Sequence, residues 1–213
     1  MISVKTLVQE LWRDRSLMRI YLNQRLAKEI LSGEVFDVGC GGNTAYLNFM
    51  SRTADMHMHI FDPKVGEAVD FETGIFPQQR HSFDSVLVLN VLEHVFNYGH
   101  LLEEIYKVLR LEGKLIGFTP FLVRYHPDPH DFFRYTDEAL LKILEAQGFR
   151  DIQIEPIGAG PFMAGLNIFV LSIPRLVRIP LAVCALYLDA LFIRFRPKAP
   201  EIYPMGYCFF AKK

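Results

Sequence analysis

The sequence predicts an α/β fold built on a mainly parallel sheet of seven strands with helices on both faces. Short β-rich runs alternate along the chain with segments whose apolar residues have helical spacing. One run, "FDSVLVLN", is almost continuously apolar, which is typical of a strand covered on both faces. The chain has 213 residues, which is enough for one domain with its own core.

The predicted elements follow from these patterns in order. Residues 4–31 predict one or two amphipathic helices before the first strand. Strands are predicted at "EVFDVG", "MHIF", "VGEAVDF", "FDSVLVLN", "KLIGFTP", "RDIQIEP" and "YPMGYCFFAKK". A helix is predicted at "YGHLLEEIYKVLRLEG", with Gly113 just past its end. Another is predicted at "DEALLKILEAQGF", which Thr136 caps and Gly148 terminates.

We therefore predict a single domain over residues 1–213. Residues 1–32 form an N-terminal helical extension, and residues 33–156 form a cofactor-binding core. Residues 157–201 form an apolar helical insert between the sixth and seventh strands, and residues 202–213 form the last strand. The insert is far longer than an ordinary hairpin loop.

Composition sets limits on function. A net charge of −1 gives no overall electrostatic reason to expect nucleic-acid binding. Cys40, Cys184 and Cys208 have no paired spacing, so neither a disulfide framework nor a zinc knuckle is expected. Charged residues throughout the first thirty positions argue against a secretory signal, and a cytoplasmic location is the expectation.

The stretch "VFDVGCGGNT" predicts a ligand-binding loop at the end of the first strand. Gly39 and Gly41 allow a tight turn and a close approach of the backbone to a ligand. A dinucleotide loop has a third glycine where this chain has Thr44, and no nearby lysine or arginine is offered to a diphosphate. A cofactor without phosphates fits better, which disfavours an NAD-dependent oxidoreductase. Asp62 closes the second strand, where a carboxylate can accept both hydroxyls of a ribose.

Four stretches taken in order carry a family resemblance: "VFDVGCGG", "FDP", "FDSVLVLNVLEHV" and "YKVLRLEGKLIGFTP". Together they resemble class I S-adenosylmethionine (SAM)-dependent methyltransferases of the type 11 group, over about residues 34–156. The resemblance implies a Rossmann-like sheet and SAM as cofactor, with S-adenosylhomocysteine (SAH) as product. Glu112-Gly113 departs from the two glycines that the family usually has there.

The resemblance also implies residue roles. Asp37 and the glycine loop would hold the methionine end of the cofactor, Asp62 the ribose, and Asp70-Phe71 the adenine. Asn90 and His94 would line the cofactor and reaction cavity. The implied cofactor-binding residues are Asp37, Gly39, Cys40, Gly41, Asp62, Pro63, Asp70, Phe71, Asn90 and His94.

Methyl transfer from a sulfonium needs alignment, desolvation and, for a hydroxyl or amine acceptor, a base. The loop "HPDPHDFFRYT" follows the fifth strand, and we predict His130 as the base within it. The other predicted catalytic residues are His126 and Asp131, and the predicted substrate-binding residues are Arg134 and Tyr135. The alternative is a structural loop in which Asp131 pairs with Arg134.

Prolines shape the expectation for metals in this loop. Pro127 and Pro129 prevent a helix, so His126 and His130 cannot form a helical i,i+4 metal pair. The sequence therefore predicts no metal. "DFFRYT"-like stretches resemble members associated with cell-surface glycan pathways, which hints at a glycan acceptor.

Residues 161–198 are strongly apolar with basic residues at their ends. Arg178, Pro180 and Asp189 interrupt the segment, so it predicts buried or interfacial helices and not a transmembrane span. Three interpretations stay open: a lid on the domain's own core, a homodimer face, and a peripheral contact with the inner face of an anionic membrane.

The sequence as a whole predicts a SAM-dependent methyltransferase acting by O- or N-methylation on a small, glycan or lipid-linked acceptor. A SAM- or SAH-binding module without catalysis, serving as an assembly partner, stays open because the same residues would bind the cofactor. Nucleic acid is not an expected partner, since no basic patch interleaved with aromatic residues is visible.

Overall fold

The structure, a computed structural model, describes residues 2–39, 44–61 and 69–213. Its helices and strands are α1 (Val4–Trp12), α2 (Leu17–Leu26), β1 (Ile30–Leu31), β2 (Glu34–Val38), β3 (Ser51–Arg52), β4 (His57–Phe61), β5 (Phe83–Leu89), α3 (Tyr98–Val108), β6 (Leu109–Pro120), α4 (Asp137–Ala146), β7 (Arg150–Ile157), α5 (Pro161–Asn167), α6 (Arg175–Phe195), α7 (Ala199–Ile202) and β8 (Gly206–Lys212).

Six strands form the central sheet in the order β4-β2-β5-β6-β8-β7. The first four are parallel, and β8 runs antiparallel to both of its neighbours. The mainly parallel α/β fold is therefore confirmed, with six strands in this sheet in place of seven. The predicted third strand, residues 65–71, begins outside the described residues, and its described part, residues 69–71, is not a strand.

The sheet has a core on each face, as its buried strands require. Along β5, Val86 and Val88 belong to one apolar cluster and Leu87 to the other, because successive side chains of a strand point to opposite faces. One face packs against α3 and α4, and the other against the N-terminal helices and the insert. This arrangement covers the inner parallel strands on both faces, whereas the edge strand β4 is largely exposed.

Local signals explain most of the element boundaries. The hydroxyl of Thr136 accepts the N–H of Ala139 at 3.2 Å and caps α4, and Gly148 follows the helix with a φ of +88°, both as predicted. The prediction for α3 was wrong at its end. The helix stops at Val108 and not before Gly113, because Leu109 is buried and pairs with Phe83 as the first residue of β6.

The predicted insert is present between β7 and β8, which are antiparallel neighbours. Arg178, Pro180 and Asp189, which interrupt the apolar run in the sequence, all lie within α6, one continuous helix of 21 residues. By length and composition alone, α6 is long and apolar enough to cross a membrane, with a mean hydropathy of 2.0 in its best window. Only 28% of that window is buried within the domain.

Candidate active site

The glycine loop begins at the carboxyl end of β2. Asp37 near that end is 1% exposed, and Gly39 has a φ of +81°. A Cβ atom at Gly39 would lie 2.9 Å from Cγ2 of Val91, so glycine alone suits the backbone at this point. The other residues predicted for this loop and for the end of β4, namely Cys40, Gly41, Asp62 and Pro63, lie outside the described residues.

The residues predicted to contact adenine lie close to this loop. A Cβ atom at Gly39 would be 3.5 Å from Cε2 of Phe71. The exposed Asp70 carboxylate accepts the N–H of Glu72 and the hydroxyl of Thr73, each at 2.9 Å. Phe71 is thus beside the loop, and Asp70 stabilises the turn that follows it.

Asn90 follows the last residue of β5 in a left-handed backbone conformation. It has a φ of +57°, a conformation in which asparagine is strongly enriched among non-glycine residues. Its N–H donates to the carbonyl of Phe118 at 3.0 Å. The side chain of the next residue, Val91, packs next to the Cα atom of Gly39. Asn90 therefore directs the following residues across the glycine loop.

Residues 92–94 form a single 3-10 turn. It is held by residues 121–136, which connect β6 to α4 and which we call the polar loop. The hydroxyl of Tyr135 donates to the carbonyl of Leu92 at 3.2 Å, and the N–H of Phe132 donates to the carbonyl of Glu93 at 2.7 Å. Tyr135 is only 5% exposed. Its place in the structure is therefore to position this turn, which differs from the substrate contact that the sequence predicts.

The Asp131 carboxylate organises the polar loop between β6 and α4. It is fully buried and accepts hydrogen bonds from Arg134 at 2.5 and 2.6 Å and from the N–H of His126 at 2.9 Å. The Arg134 guanidinium lowers the pKa of Asp131 to about 2. The Asp131–Arg134 pair is the one expected for a structural loop, the alternative given by the sequence. Arg134 therefore uses its guanidinium within the loop.

The two histidines of the loop have different surroundings. His130, predicted as the base, is exposed, and its ring packs against Phe132 with the centroids 5.0 Å apart. His126 is half-buried and points its Nε2 toward the carboxylate of Glu93 at 3.8 Å. That carboxylate raises the pKa of His126 above its ordinary value. The geometry favours His126 over His130 for contact with an acceptor.

Glu93 is a candidate functional residue that sequence reasoning missed. It is 0% exposed, and its Oε1 lies 3.6 Å from Nε2 of His94 and 3.8 Å from Nε2 of His126. The rings of the two histidines are 5.3 Å apart and nearly perpendicular, at 82°. A signal was present, since "LNVLEHV" places an acidic residue among apolar ones directly before a histidine. We call Glu93, His94 and His126 the Glu-His-His cluster.

A cavity of about 190 Å³ opens between the polar loop and the insert. Arg124 and His126 line its polar side, and Ile168, Phe169 and Leu171 line its apolar side. Asn167, which also lines the cavity, accepts the N–H of Met18 at 2.9 Å and donates to the carbonyl of Leu122 at 3.3 Å. His126 therefore belongs both to the Glu-His-His cluster and to the cavity wall.

Residues 36–117 match a family model described as a methyltransferase domain. No curated protein matches this sequence.

Solved structures extend the likeness to nearly the whole chain. A SAM-dependent methyltransferase from Archaeoglobus fulgidus is 17% identical with a TM-score of 0.51, over 99% of this chain and 95% of its own. The 1,6-didemethyltoxoflavin-N1-methyltransferase of Burkholderia thailandensis, solved with bound 1,6-didemethyltoxoflavin and SAH, is 17% identical with a TM-score of 0.53, over 96% of this chain and 81% of its own. The [4+2]-cyclase SpnF is 16% identical with a TM-score of 0.52, over 92% and 80%. At these identities the comparisons show a shared fold.

Proposed function

Because residues 36–117 match a methyltransferase-domain model, we propose that this chain is a SAM-dependent methyltransferase and that it transfers a methyl group to a lipid-linked acceptor whose head group is anionic. One observation carries the proposal, the cavity between the polar loop and the insert. Its wall joins a cationic side chain, Arg124, and an imidazole, His126, to three apolar side chains. A polar head with an apolar tail matches such a wall better than a wholly polar metabolite does.

The described residues fit the cofactor. Gly39 has a positive φ and no side chain, so its backbone can approach a ligand closely, and the side chains of Val91 and Phe71 lie next to it. When bound, SAM supplies a methyl group on a sulfonium, which is already activated toward an oxygen or nitrogen nucleophile. The protein then needs chiefly to align the acceptor and exclude water.

The turn after β5 connects the cofactor side of the site to the acceptor side. The side chain of Val91 packs next to Gly39. Two and three residues later, the Glu93 carboxylate and the His94 ring lie close to the ring of His126. An acceptor head group held near Arg124 and His126 would therefore lie one short turn away from the glycine loop.

The outward face of α6 supports a peripheral contact with anionic membrane. Apolar side chains recur on it at helical spacing, and no exposed charge stands between Arg175 and Arg194. Its large exposed apolar side chains are Leu176, Val177, Leu181, Tyr187, Leu188, Leu191 and Phe195. Exposed basic residues flank the face at Arg175, Arg194, Arg196 and Lys198. Such a face with cationic ends suits an interface helix on anionic lipid.

The two charges in the middle of α6 favour lying on the membrane over crossing it. Arg178 is 2% exposed and hydrogen-bonds the Asp14 carboxylate, and Asp189 is 0% exposed and accepts backbone N–H groups of α5. Both charges thus face the domain. A spanning α6 would have to give up these contacts and bring both charges into hydrocarbon.

The acceptor class can be tested with labelled SAM. We expect the purified protein, given [methyl-³H]SAM and a total lipid extract, to place label in the organic phase after phase partition. Phe169→Ser should lower this labelling about fivefold or more with SAH affinity unchanged, because Phe169 lines the apolar wall of the cavity. The control Leu141→Ser changes a part-exposed residue of α4 and should leave labelling unchanged.

Other outcomes would select among the alternatives. Label found only in a water-soluble metabolite fraction would contradict a lipid-linked acceptor. SAH binding by calorimetry with no label in either fraction would favour a binding module without catalysis.

The membrane contact can be tested through Cys184, which is exposed on α6. We expect vesicles containing anionic lipid to slow alkylation of Cys184 by a charged maleimide severalfold at low salt, with peptide mass spectrometry as the measurement. Neutral vesicles should protect it less. Leu181→Glu together with Leu188→Glu should abolish both protection and co-flotation. If Cys184 stays fully reactive and the protein does not float with anionic vesicles, the membrane contact is contradicted.

A further inference from the structure

Glu93 is a buried carboxylate with the rings of His94 and His126 at ion-pair distance. Both oxygens are inaccessible to solvent, and neither accepts a hydrogen bond within the described part of the chain. A charged group removed from water without hydrogen bonds carries a large desolvation cost unless a cation compensates it. Arg19 and Arg134 interact with Glu93 electrostatically, but neither donates a hydrogen bond to it, and Arg134 forms its hydrogen bonds with Asp131.

The two histidines facing Glu93 are oriented by their other ring nitrogens. Nδ1 of His94 lies 2.5 Å from the carbonyl of His130, and Nδ1 of His126 lies 3.1 Å from the carbonyl of Arg124. A carbonyl can only accept, so Nδ1 of His94 carries the proton. Nδ1 of His126 lies closer to the carbonyl of Arg124 than to the guanidinium of Arg134, which is 3.4 Å away, and the shorter contact assigns the proton to this Nδ1 as well. In the neutral rings the lone pairs are therefore on Nε2, and both Nε2 atoms face the Glu93 carboxylate.

From this arrangement we infer that Glu93, His94 and His126 bind one divalent transition-metal ion of the zinc class. Their ligand atoms lie within 4.8 Å of one another. Three electron-pair donors converge here, and a cation is the species that all three can bind at once. Histidine ligands that donate Nδ1–H to backbone carbonyls are the usual outer-shell arrangement at metal sites.

The spacing of the donors agrees with this ion. Zinc binds histidine nitrogen and carboxylate oxygen at about 2.0–2.2 Å, so two ligands at a tetrahedral angle are about 3.4 Å apart. The Glu93–His94 and Glu93–His126 separations of 3.6 and 3.8 Å are within a few tenths of an ångström of that value. A set of two histidines and one carboxylate leaves a coordination position open, as catalytic zinc sites do.

The open position would face the proposed acceptor site, because His126 also lines the cavity. An ion there would bind an oxygen of the acceptor head group and lower the pKa of a hydroxyl. This role rests on the proposed function, whereas metal binding itself does not. The site also differs from the sequence expectation of no metal, because its ligands are not the His126–His130 pair that the prolines exclude.

The test is metal titration of the full chain after dialysis against a chelator, with no methyl acceptor present. We expect calorimetry to give one Zn²⁺ per chain, and Co²⁺ to give visible d–d absorption with the same stoichiometry. Glu93→Gln and His126→Ala should each weaken Zn²⁺ binding by more than about 100-fold, since removing a ligand does more than removing an outer-shell partner.

His130→Ala is the matched control because it removes an exposed ring from the same loop. It should keep wild-type Zn²⁺ affinity. Circular dichroism and SAH affinity establish that each variant is folded, and the half-exposed His126 decides the result if Glu93→Gln does not fold. The assignment is overturned if the wild type takes up no stoichiometric metal, or if His126→Ala binds Zn²⁺ as tightly as the wild type.

Discussion

Gly39→Ala is expected to weaken SAH binding more than tenfold and to reduce methyl transfer with it. At a φ of +81° an alanine costs about 1–2 kcal/mol, and its Cβ would lie 2.9 Å from Cγ2 of Val91. Relieving the backbone strain and the contact with Val91 requires a shift of the glycine loop or of the Val91 side chain. Either shift changes the surface that meets the cofactor, and 1.4 kcal/mol already corresponds to a factor of ten in affinity.

Calorimetry with SAH measures this effect, and Gly165→Ala is its control. Gly165 is inside α5, and a Cβ atom added there meets nothing within 4 Å. That substitution should leave SAH affinity unchanged and raise stability slightly, by about 0.5–1 kcal/mol, because alanine is the better helix former. Unchanged SAH affinity in Gly39→Ala would place the cofactor away from this loop.

The sheet could be predicted from the sequence because its signals are local and periodic. The run of β5 is apolar throughout since both faces of the strand are buried. The Thr136 cap and Gly148 turn of α4 are each carried by residue types with specific backbone roles. The end of α3 was mispredicted because Leu109 fits a helical period equally well, and its pairing with Phe83 is a long-range contact.

The Glu-His-His cluster could not be predicted from local or periodic signals in the sequence. Glu93 and His126 are separated by β6 and by α3, and the loop that carries His126 has no periodicity to show which side chains face inward. His126 and His130 have similar neighbours in the sequence, yet one faces Glu93 and the other is exposed. What distinguishes them is the Asp131 carboxylate, which binds the N–H of His126 and fixes the loop from inside.

For the insert, the sequence could not predict which side of α6 is buried. Arg178 and Asp189 read as interruptions because composition cannot show which side of a helix is solvated. In the structure both occupy the buried side of α6 together with Ala182, Ala185 and Leu186, while other large apolar residues of the helix are exposed. The helix is therefore apolar on its outer face as well as on part of its buried side, and the outer face suits contact with lipid.

Asp189→Ala is expected to lower the free energy of unfolding by about 2–5 kcal/mol. Oδ1 of Asp189 accepts the N–H of Phe162 at 3.0 Å, and Oδ2 accepts the N–H of Met163 at 2.9 Å. These are orphan donors at the start of α5, whose own cap residue, Gly160, has no side chain to bind them. Each buried donor left unpaired costs about 1–3 kcal/mol.

Thermal and urea unfolding would measure the loss, which corresponds to about 5–15 °C in Tm for a chain of this size. Asp189→Asn keeps one carbonyl acceptor and should lose about half as much. Asp137→Ala removes an exposed carboxylate from the first turn of α4 and should cost less than about 1 kcal/mol. Equal stability of Asp189→Ala and Asp137→Ala would contradict the capping role.

The same carboxylate predicts how the deficit changes with pH. Burial raises the pKa of Asp189 above its ordinary value, so as pH rises past about 4 the unfolded chain ionises this group before the folded chain does. The wild type then loses stability with rising pH, whereas Asp189→Asn has no such titration. The buried Tyr21 beside Asp189 stays neutral in this range, because burial raises its pKa as well.

The stability deficit of Asp189→Asn should therefore be largest below pH 4 and shrink toward pH 7. A deficit that grows over this range would show instead that the two N–H donors hold Asp189 ionised, and α5 would then be anchored by charge as well as by hydrogen bonds.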